Sequence, residues 1–216
     1  MIYLIINNGV YVQHVNDADG NFAWDENNFC TPSALTPAQM EQYGVVPFAL
    51  TVQPTFNALT QTCAEAPPVQ VAGVWTQQWA VSPLPLATAQ ANLLAQLEPQ
   101  RIIQQSAGLP YTFPDGTVGT IQTRDPSIYS DILNVNSYAL MATVAAAQGG
   151  TTMTPGFTDA SNVTHSMTPA QAVAMGVAVS TFVGRLYAAK QTIRTAINAL
   201  TEATITTFDI TKGWTT

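Results

Sequence analysis

The chain has 216 residues, which is enough for one sizeable hydrophobic core or for two small modules. Charged residues make up only 9% of it, against about a quarter in an average globular protein, while the 47% share of hydrophobic residues is ordinary. A formal net charge of −7 with six Lys and Arg residues argues against nucleic acid and against an anionic membrane surface as partners, because both are bound mainly through cations.

The scarcity of charge has two interpretations. The first is a secreted or particle-bound protein with few ionic partners. The second, which we favour, is a subunit largely covered by neighbouring proteins, because the centres of protein interfaces are depleted of charged residues.

The apolar runs predict neither a targeting segment nor a membrane-spanning segment. Residues 2–6 have no basic region before them and no small-residue cleavage site after them, so they predict a first strand. The longest nearly apolar stretch, residues 172–179 with an interrupted extension to 183, is shorter than the roughly 20 residues that a spanning helix needs. We therefore expect a soluble protein synthesised in a cytosol, without membrane insertion.

The cysteines and histidines do not form a metal-binding pattern. Cys30 and Cys63 are expected to be small buried apolar residues that stay reduced in the cytosol. His14 and His165 lie too far from them and from each other in sequence for zinc-ligand spacing. No metal and no cofactor is predicted.

Residues 1–65 predict a small β-rich docking module. Alternating residues at 3–6 and 10–15 predict two strands joined by a turn at 7–9, and residues 22–24 resume a strand, which gives a small antiparallel meander. After them, Thr36 with Gln39 three residues later predicts a capping box, and the short helix ends at Gly44. The same capping pattern recurs at Thr168 and Gln171.

Residues 66–85 predict a connector that contains one strand between two proline-bearing linkers. Trp75 and Trp79 are four residues apart and would share one face of that strand. Such a pair usually belongs to a core. On an edge strand it would instead anchor a partner protein, so we include both tryptophans among the candidate interface residues.

Residues 86–216 predict an α+β module of three helices and two β-hairpins. A helical pattern begins at Leu86, is broken or restarted at Pro99 and stops near residue 106. The first hairpin spans 111–123, a second helix begins at Asp125, and the second hairpin spans 151–167 around a turn at 159–162.

The last helix, from Pro169 to about Leu200, carries a heptad pattern over nearly four repeats and would be about 45 Å long. Val179, Leu186, Ile193 and Leu200 form one register; Met175, Phe182, Ala189 and Ala196 form the other. The pattern fits two arrangements, a seam between chains and packing against the preceding helices of the same chain. The candidate interface residues for the seam are Met175, Val179, Phe182, Leu186, Ile193 and Leu200.

No catalytic constellation is predicted. Local roles account for the carboxylates that a polysaccharide-degrading enzyme would need as a pair. The turns contain Asp115 and Asp159, Asp125 caps a helix, and Asp131 and Glu202 are expected on solvated helix faces. A phosphate-binding loop and a nucleophile elbow are absent from the sequence as well.

Three segments together resemble a domain of unknown function found in phage tail and tail-fibre proteins. They are residues 111–125 (YTFPDGTVGTIQTRD), 157–171 (FTDASNVTHSMTPAQ) and 208–214 (FDITKGW). Their order and spacing match over roughly residues 85–215, and residues 73–81 and 83–86 resemble a segment that often precedes that domain.

The resemblance implies a context and no catalytic site. We expect a structural component of a phage virion, in the tail fibre or baseplate, with other tail proteins as partners and a host surface receptor as a further candidate partner. A homo-oligomer is expected, with a trimer as the natural symmetry of a tail fibre. The alternative is a tail-fibre assembly chaperone that leaves before maturation.

Overall fold

The computed structural model describes residues 2–7, 10–16, 22–25, 28–124 and 129–214, and the side chains of these residues except those in 10–30. The chain forms two compact units, Met1–Leu84 and Pro85–Thr216. Both strands and helices are present, and the predicted α+β class is confirmed. The predicted turn at Asn8 and Gly9 and the predicted cap at Asp125 lie outside the described residues.

The N-terminal unit is built mainly from strands. Its elements, in chain order among the described residues, are β1 (Ile2–Asn7), β2 (Val10–Asn16), β3 (Phe22–Asp25), β4 (Asn28–Cys30), a 3₁₀ turn (Pro32–Ala34), α1 (Pro37–Gln42), β5 (Val45–Ala49), β6 (Gln61–Val71) and β7 (Val74–Pro83).

Five of these strands form one sheet in the order β2-β1-β5-β7-β6. Neighbouring strands are antiparallel except β5 and β7, which are parallel. The predicted meander is therefore wrong in one respect: β3 pairs with β4 in a separate two-stranded sheet and does not continue from β2.

The predicted capping box at α1 is confirmed. Gln39 N–H donates to Thr36 Oγ1, and the Gln39 side chain accepts from Thr36 N–H. The helix ends at Gly44, whose φ of +63° is a left-handed conformation that favours glycine. Gly44 C=O then accepts from Ile6 N–H at 2.8 Å, which ties the helix end to β1.

The predicted connector is wrong, because residues 66–83 belong to the sheet of the N-terminal unit. β6 and β7 form a long antiparallel hairpin, and the boundary between units falls after Leu84. Pro67 and Pro68 suggested a linker, but β6 is an edge strand whose register shifts between Ala66 and Val69. An edge strand with a bulge tolerates residues that lack an N–H.

The C-terminal unit contains four helices and two hairpins among its described residues. They are α2 (Leu86–Ala95), α3 (Leu97–Ser106), β8 (Leu109–Thr112), β9 (Val118–Ile121), α4 (Asp131–Ala147), β10 (Phe157–Thr158), β11 (Thr164–His165) and α5 (Pro169–Asn198), followed by a 3₁₀ turn (Ile205–Thr207).

The predicted count of three helices is corrected to four. The break falls at Gln96, and Pro99 lies in the first turn of α3, where its missing N–H costs no helical hydrogen bond. Both predicted hairpins are present, β8 with β9 and β10 with β11, although the second has only two residues in each strand.

Helix α5 is the central element of this unit and packs against α2, α3 and α4. A capping box at Thr168 and Gln171 starts it, as the sequence predicts. One core cluster joins α5 to the first hairpin and to α4. Its buried members are Phe113, Ile121, Val135, Met167, Met175 and Val179.

By length and composition alone, α5 is also long and apolar enough to cross a membrane. The sequence analysis did not predict this, because it counted only the uninterrupted apolar stretch at residues 172–179. Of its most apolar 18-residue window, 39% is buried within the unit. A core helix meets the same two criteria, and one such helix is weak evidence for a membrane span.

In the N-terminal unit, Cys63 is a half-buried free thiol, not the fully buried residue that was predicted.

Gly44→Ala is expected to destabilise the N-terminal unit. A Cβ at residue 44 would lie 2.0 Å from Ile6 O, so the backbone must shift. Gly73→Ala is the matched control, because Gly73 also has a positive φ but open space around it. We expect Gly44→Ala to lower the free energy of unfolding by about 1–3 kcal/mol more than Gly73→Ala, in urea unfolding followed by tryptophan fluorescence. Equal losses would contradict the predicted clash.

Candidate functional site

Each hairpin of the C-terminal unit has an aspartate in its turn, and each aspartate first builds that turn. Asp115 Oδ1 accepts hydrogen bonds from Thr117 N–H at 2.9 Å and from Thr117 Oγ1 at 2.6 Å. Asp159 Oδ1 accepts from Ser161 N–H at 2.8 Å and from Val163 N–H at 2.9 Å. These are the local roles that the sequence predicts.

The two aspartates also meet at one histidine, which the sequence analysis did not predict. His165 is 1% exposed, and its Nδ1 lies 2.9 Å from Asp115 Oδ2. Its Nε2 lies 3.4 Å from Asp159 Oδ2, and its ring stacks on Phe113 at a centroid distance of 3.6 Å. We call Phe113, Asp115, Thr117, Asp159 and His165 the His165 cluster.

The electrostatics of the cluster favour ionised aspartates. Hydrogen bonds from Thr117 and then from His165 lower the pKa of Asp115 to about 2. The pKa of Asp159 is lowered mainly by the backbone N–H of Val163. His165 Nε2 is buried without a hydrogen bond and lies 3.4 Å from Asp159 Oδ2.

A histidine oriented by a carboxylate is also part of catalytic triads. In a triad the second ring nitrogen faces a nucleophile, whereas His165 Nε2 faces buried Asp159. Neither the groove between α4 and α5 nor the small cavity beside Phe157 includes His165 in its lining. The cluster therefore joins the two hairpins through the side chains of their turns.

Among the described residues, no group of three or more His, Cys, Asp or Glu side chains is placed to hold a metal ion.

The prediction for the Asp131 carboxylate is corrected. Asp131 was expected on a solvated face, but its side chain is 9% exposed and pairs with Arg124 at 2.7 Å. The Arg124 guanidinium also lies 3.9 Å from the Tyr129 ring centroid. Glu202 is exposed, as expected, but lies in the turn after α5.

The candidate seam residues on α5 lie in the core of their own unit. Buried residues of both predicted registers are Met175, Val179, Phe182, Leu186, Ala189 and Ile193. This corrects their assignment to an interface between chains. The heptad spacing was right, but α2, α3 and α4 of the same chain cover the stripe.

The last predicted repeat fails for a geometric reason. An α-helix has 3.6 residues per turn and drifts by about 20° per strict seven-residue repeat. By the fourth repeat the core contact has passed to Ile197, which is fully buried, while Ala196 is exposed. Leu200 lies after the helix end at Asn198 and is half-buried.

The tryptophan prediction also changes. Trp75 and Trp79 lie on β7, which stands between β5 and β6 in the sheet order. Among the described residues, β5 pairs with β7 only at Trp75 and Thr76, so the edge-strand condition for a partner anchor is not met at Trp75. Both are half-buried. Trp79 Nε1–H donates to Thr51 O at 3.4 Å, and Trp75 pairs with Phe48 of β5. Their contacts are within the N-terminal unit.

A surface that the sequence analysis did not predict lies between α4 and α5. It is an open groove of about 490 Å³ whose lining includes Leu140, Thr143, Val173, Gly176, Val177 and Ser180. Leu140 is 67% exposed and Val177 is 60% exposed. We call this groove, with the neighbouring exposed Leu133 and Val144 of α4, the α4–α5 face.

Comparison with known proteins gave one match. A family model described as "Domain of unknown function (DUF4376)" matches residues 88–212, more than half of the chain and all within the C-terminal unit. No curated protein and no solved structure matches the chain. The matched range includes both hairpins and therefore the whole His165 cluster.

Acid is expected to weaken the tie between the hairpins. The pKa of Asp115 is lower in the folded chain, about 2, than its ordinary value of 3.8, so its contribution to stability is present above about pH 4 and is lost as the pH falls toward 2. The midpoint of urea unfolding should fall less between pH 4 and pH 2 in Asp115→Asn than in the wild-type chain. Glu202→Gln, an exposed carboxylate in the turn after α5, is the control. An unchanged slope in Asp115→Asn would contradict the assignment.

Leu186→Ala tests whether the heptad stripe is core. Leu186 is fully buried, so truncation should lower the free energy of unfolding by about 2–5 kcal/mol. Gln191→Ala, at an exposed position of the same helix, should have little effect. A core residue gives the same loss at low and high protein concentration. A loss that appears only at high concentration would indicate a seam between chains.

Proposed function

We propose that this chain, which belongs to the family of domains of unknown function DUF4376, is a non-enzymatic structural subunit of a bacteriophage tail. It is placed in the tail-fibre or baseplate apparatus of the virion, after synthesis in the host cytoplasm. Its role there is to dock other tail components and to support attachment to the host. We also propose that it acts as a homo-oligomer, with three copies as the expected number.

The observation that carries the proposal is exposed apolar surface in both units. In the C-terminal unit it is the α4–α5 face. In the N-terminal unit the exposed apolar residues are Leu50, Val52, Phe56, Val69, Val71, Val74 and Val81. Exposed apolar surface of this kind is typical of proteins that are covered by partners in an assembly.

The sequence resemblance to phage tail proteins supports a phage tail as the assembly. Two of the segments that resemble phage tail proteins, residues 111–125 and 157–171, supply the whole His165 cluster. The two segments, which are far apart in the sequence, are therefore in contact in the structure. A double hairpin whose turns are joined by partly buried polar contacts is suited to a structural subunit that docks neighbouring proteins.

An enzyme that degrades a surface polysaccharide fits these observations less well. It would need two carboxylates facing a cleft, with one of them holding a proton near neutral pH. Asp115 and Asp159 face His165, and the pKa of each is lowered. Both would stay ionised, so neither suits a general acid.

The test is mass spectrometry of gradient-purified phage particles, with copies per particle counted against the major capsid protein. The structural proposal expects peptides from both units at a small multiple of three copies. The infected-cell lysate is the control for expression. A chain that is abundant in the lysate but absent from particles would contradict the proposal and would identify an assembly chaperone instead.

A further inference from the structure

The α4–α5 face has no charged residue, although the chain as a whole is acidic. Between residues 132 and 184, the only Asp, Glu, Lys, Arg or His residues are Asp159 and His165, and both are buried. The outer sides of α4 and of the first half of α5 therefore present only apolar side chains, hydroxyls and amides.

The face is shaped to receive a ridge of side chains, and it also presents one. Gly176 lets the two helices approach closely, since a Cβ there would lie 2.6 Å from Ala139 Cβ. Above this crossing, Val173 and Val177 border the groove. On the α4 side, exposed Leu133, Leu140 and Val144 are spaced seven and four residues apart, so they form one ridge along the helix.

We propose that the α4–α5 face is the contact through which copies of this chain associate with one another. Because the face has both a groove and a ridge, each copy can place its α4 ridge in the groove of a neighbouring copy. The chain has a net charge of −7, which opposes self-association elsewhere. At this face two copies meet without placing like charges opposite each other.

The available area is adequate for a specific but concentration-dependent contact. Helix α4 has 17 residues, so it is about 25 Å long, and two helices about 10 Å wide present about 500 Å². Two such faces bury about 1,000 Å² together, which is the lower limit for a specific protein interface. We therefore expect association to be visible on dilution.

This inference deepens the homo-oligomer part of the proposed function and rests on it, but it is tested separately. Self-association is measured on the purified full-length chain, whereas the tail assignment depends on particles. A chain that is present in particles but monomeric in solution would overturn the contact alone. A chain that associates through this face but is absent from particles would overturn the tail assignment alone.

The experiment is sedimentation velocity over a wide range of protein concentration. Leu140→Glu and Val177→Glu each place a carboxylate in the contact, where it would be buried next to its own copy, so association should weaken about tenfold or more. Val118→Glu is the matched control, because Val118 of β9 is also exposed but lies outside the face. Unchanged urea midpoints will show that all three variants are folded.

Wild-type association that is lost in both face variants and kept in Val118→Glu is the expected result. A wild-type chain that is monomeric at every concentration would overturn the proposal, and so would association that survives both face variants. A lipid surface is the other occupant to test, since α5 meets the length and composition of a membrane helix. Flotation with phosphatidylcholine vesicles that is lost in Val177→Glu would assign the face to lipid and overturn the self-contact.

Discussion

The C-terminal unit depends on the burial of one stripe along α5. This helix has 30 residues, and its inward positions recur at three- and four-residue intervals from Ala172 to Ile197. Each large apolar side chain of the stripe contributes about 1.5–3 kcal/mol when it is fully buried. The total stability of a domain is only about 5–15 kcal/mol, so losing a single member is a large fraction of it. The other helices and both hairpins are held in place by what they cover on this stripe.

Polar contacts hold the two hairpins, and helix α3, in one position against the rest of the C-terminal unit, which apolar packing alone would not specify. Two hairpins of four and two residues per strand are too short to be stable by themselves. The His165 cluster joins their turns, and Ala160 N–H donates to Thr120 O at 2.9 Å to add a backbone link. A second tie joins α3 to α5, where Glu98 pairs with both Arg101 and Lys190, and these pairs lower the pKa of Glu98 to about 2. Partly buried polar contacts of this kind specify one arrangement among several similar packings.

Local signals in the sequence were sufficient for some of the elements and for some of their ends. The capping boxes at Thr36 and Thr168, the turn at Gly44 and the period of α5 each depend on residues within a few positions, and each prediction was right. Pairings over long separations could not be obtained in this way. His165 meets Asp115 across 50 residues, and neither turn contains a sign that its aspartate has a second partner. The available hint was that one histidine and two turn aspartates occur in the same module.

The heptad spacing of α5 did not show whether its apolar stripe packs within the chain or between chains. A heptad spacing states that a helix has an apolar stripe, and it is silent on whether the covering side chains belong to the same chain. In this unit the stripe is covered from within, and uncharged exposed apolar residues lie on the outer sides of α4 and of the first half of α5. Those residues show no strong amphipathic contrast, because Ala, Ser and Thr replace the charges that normally mark a solvated face. In a chain with so little charge, an exposed face without charges is therefore a more direct reason to propose a contact surface than the apolar period is.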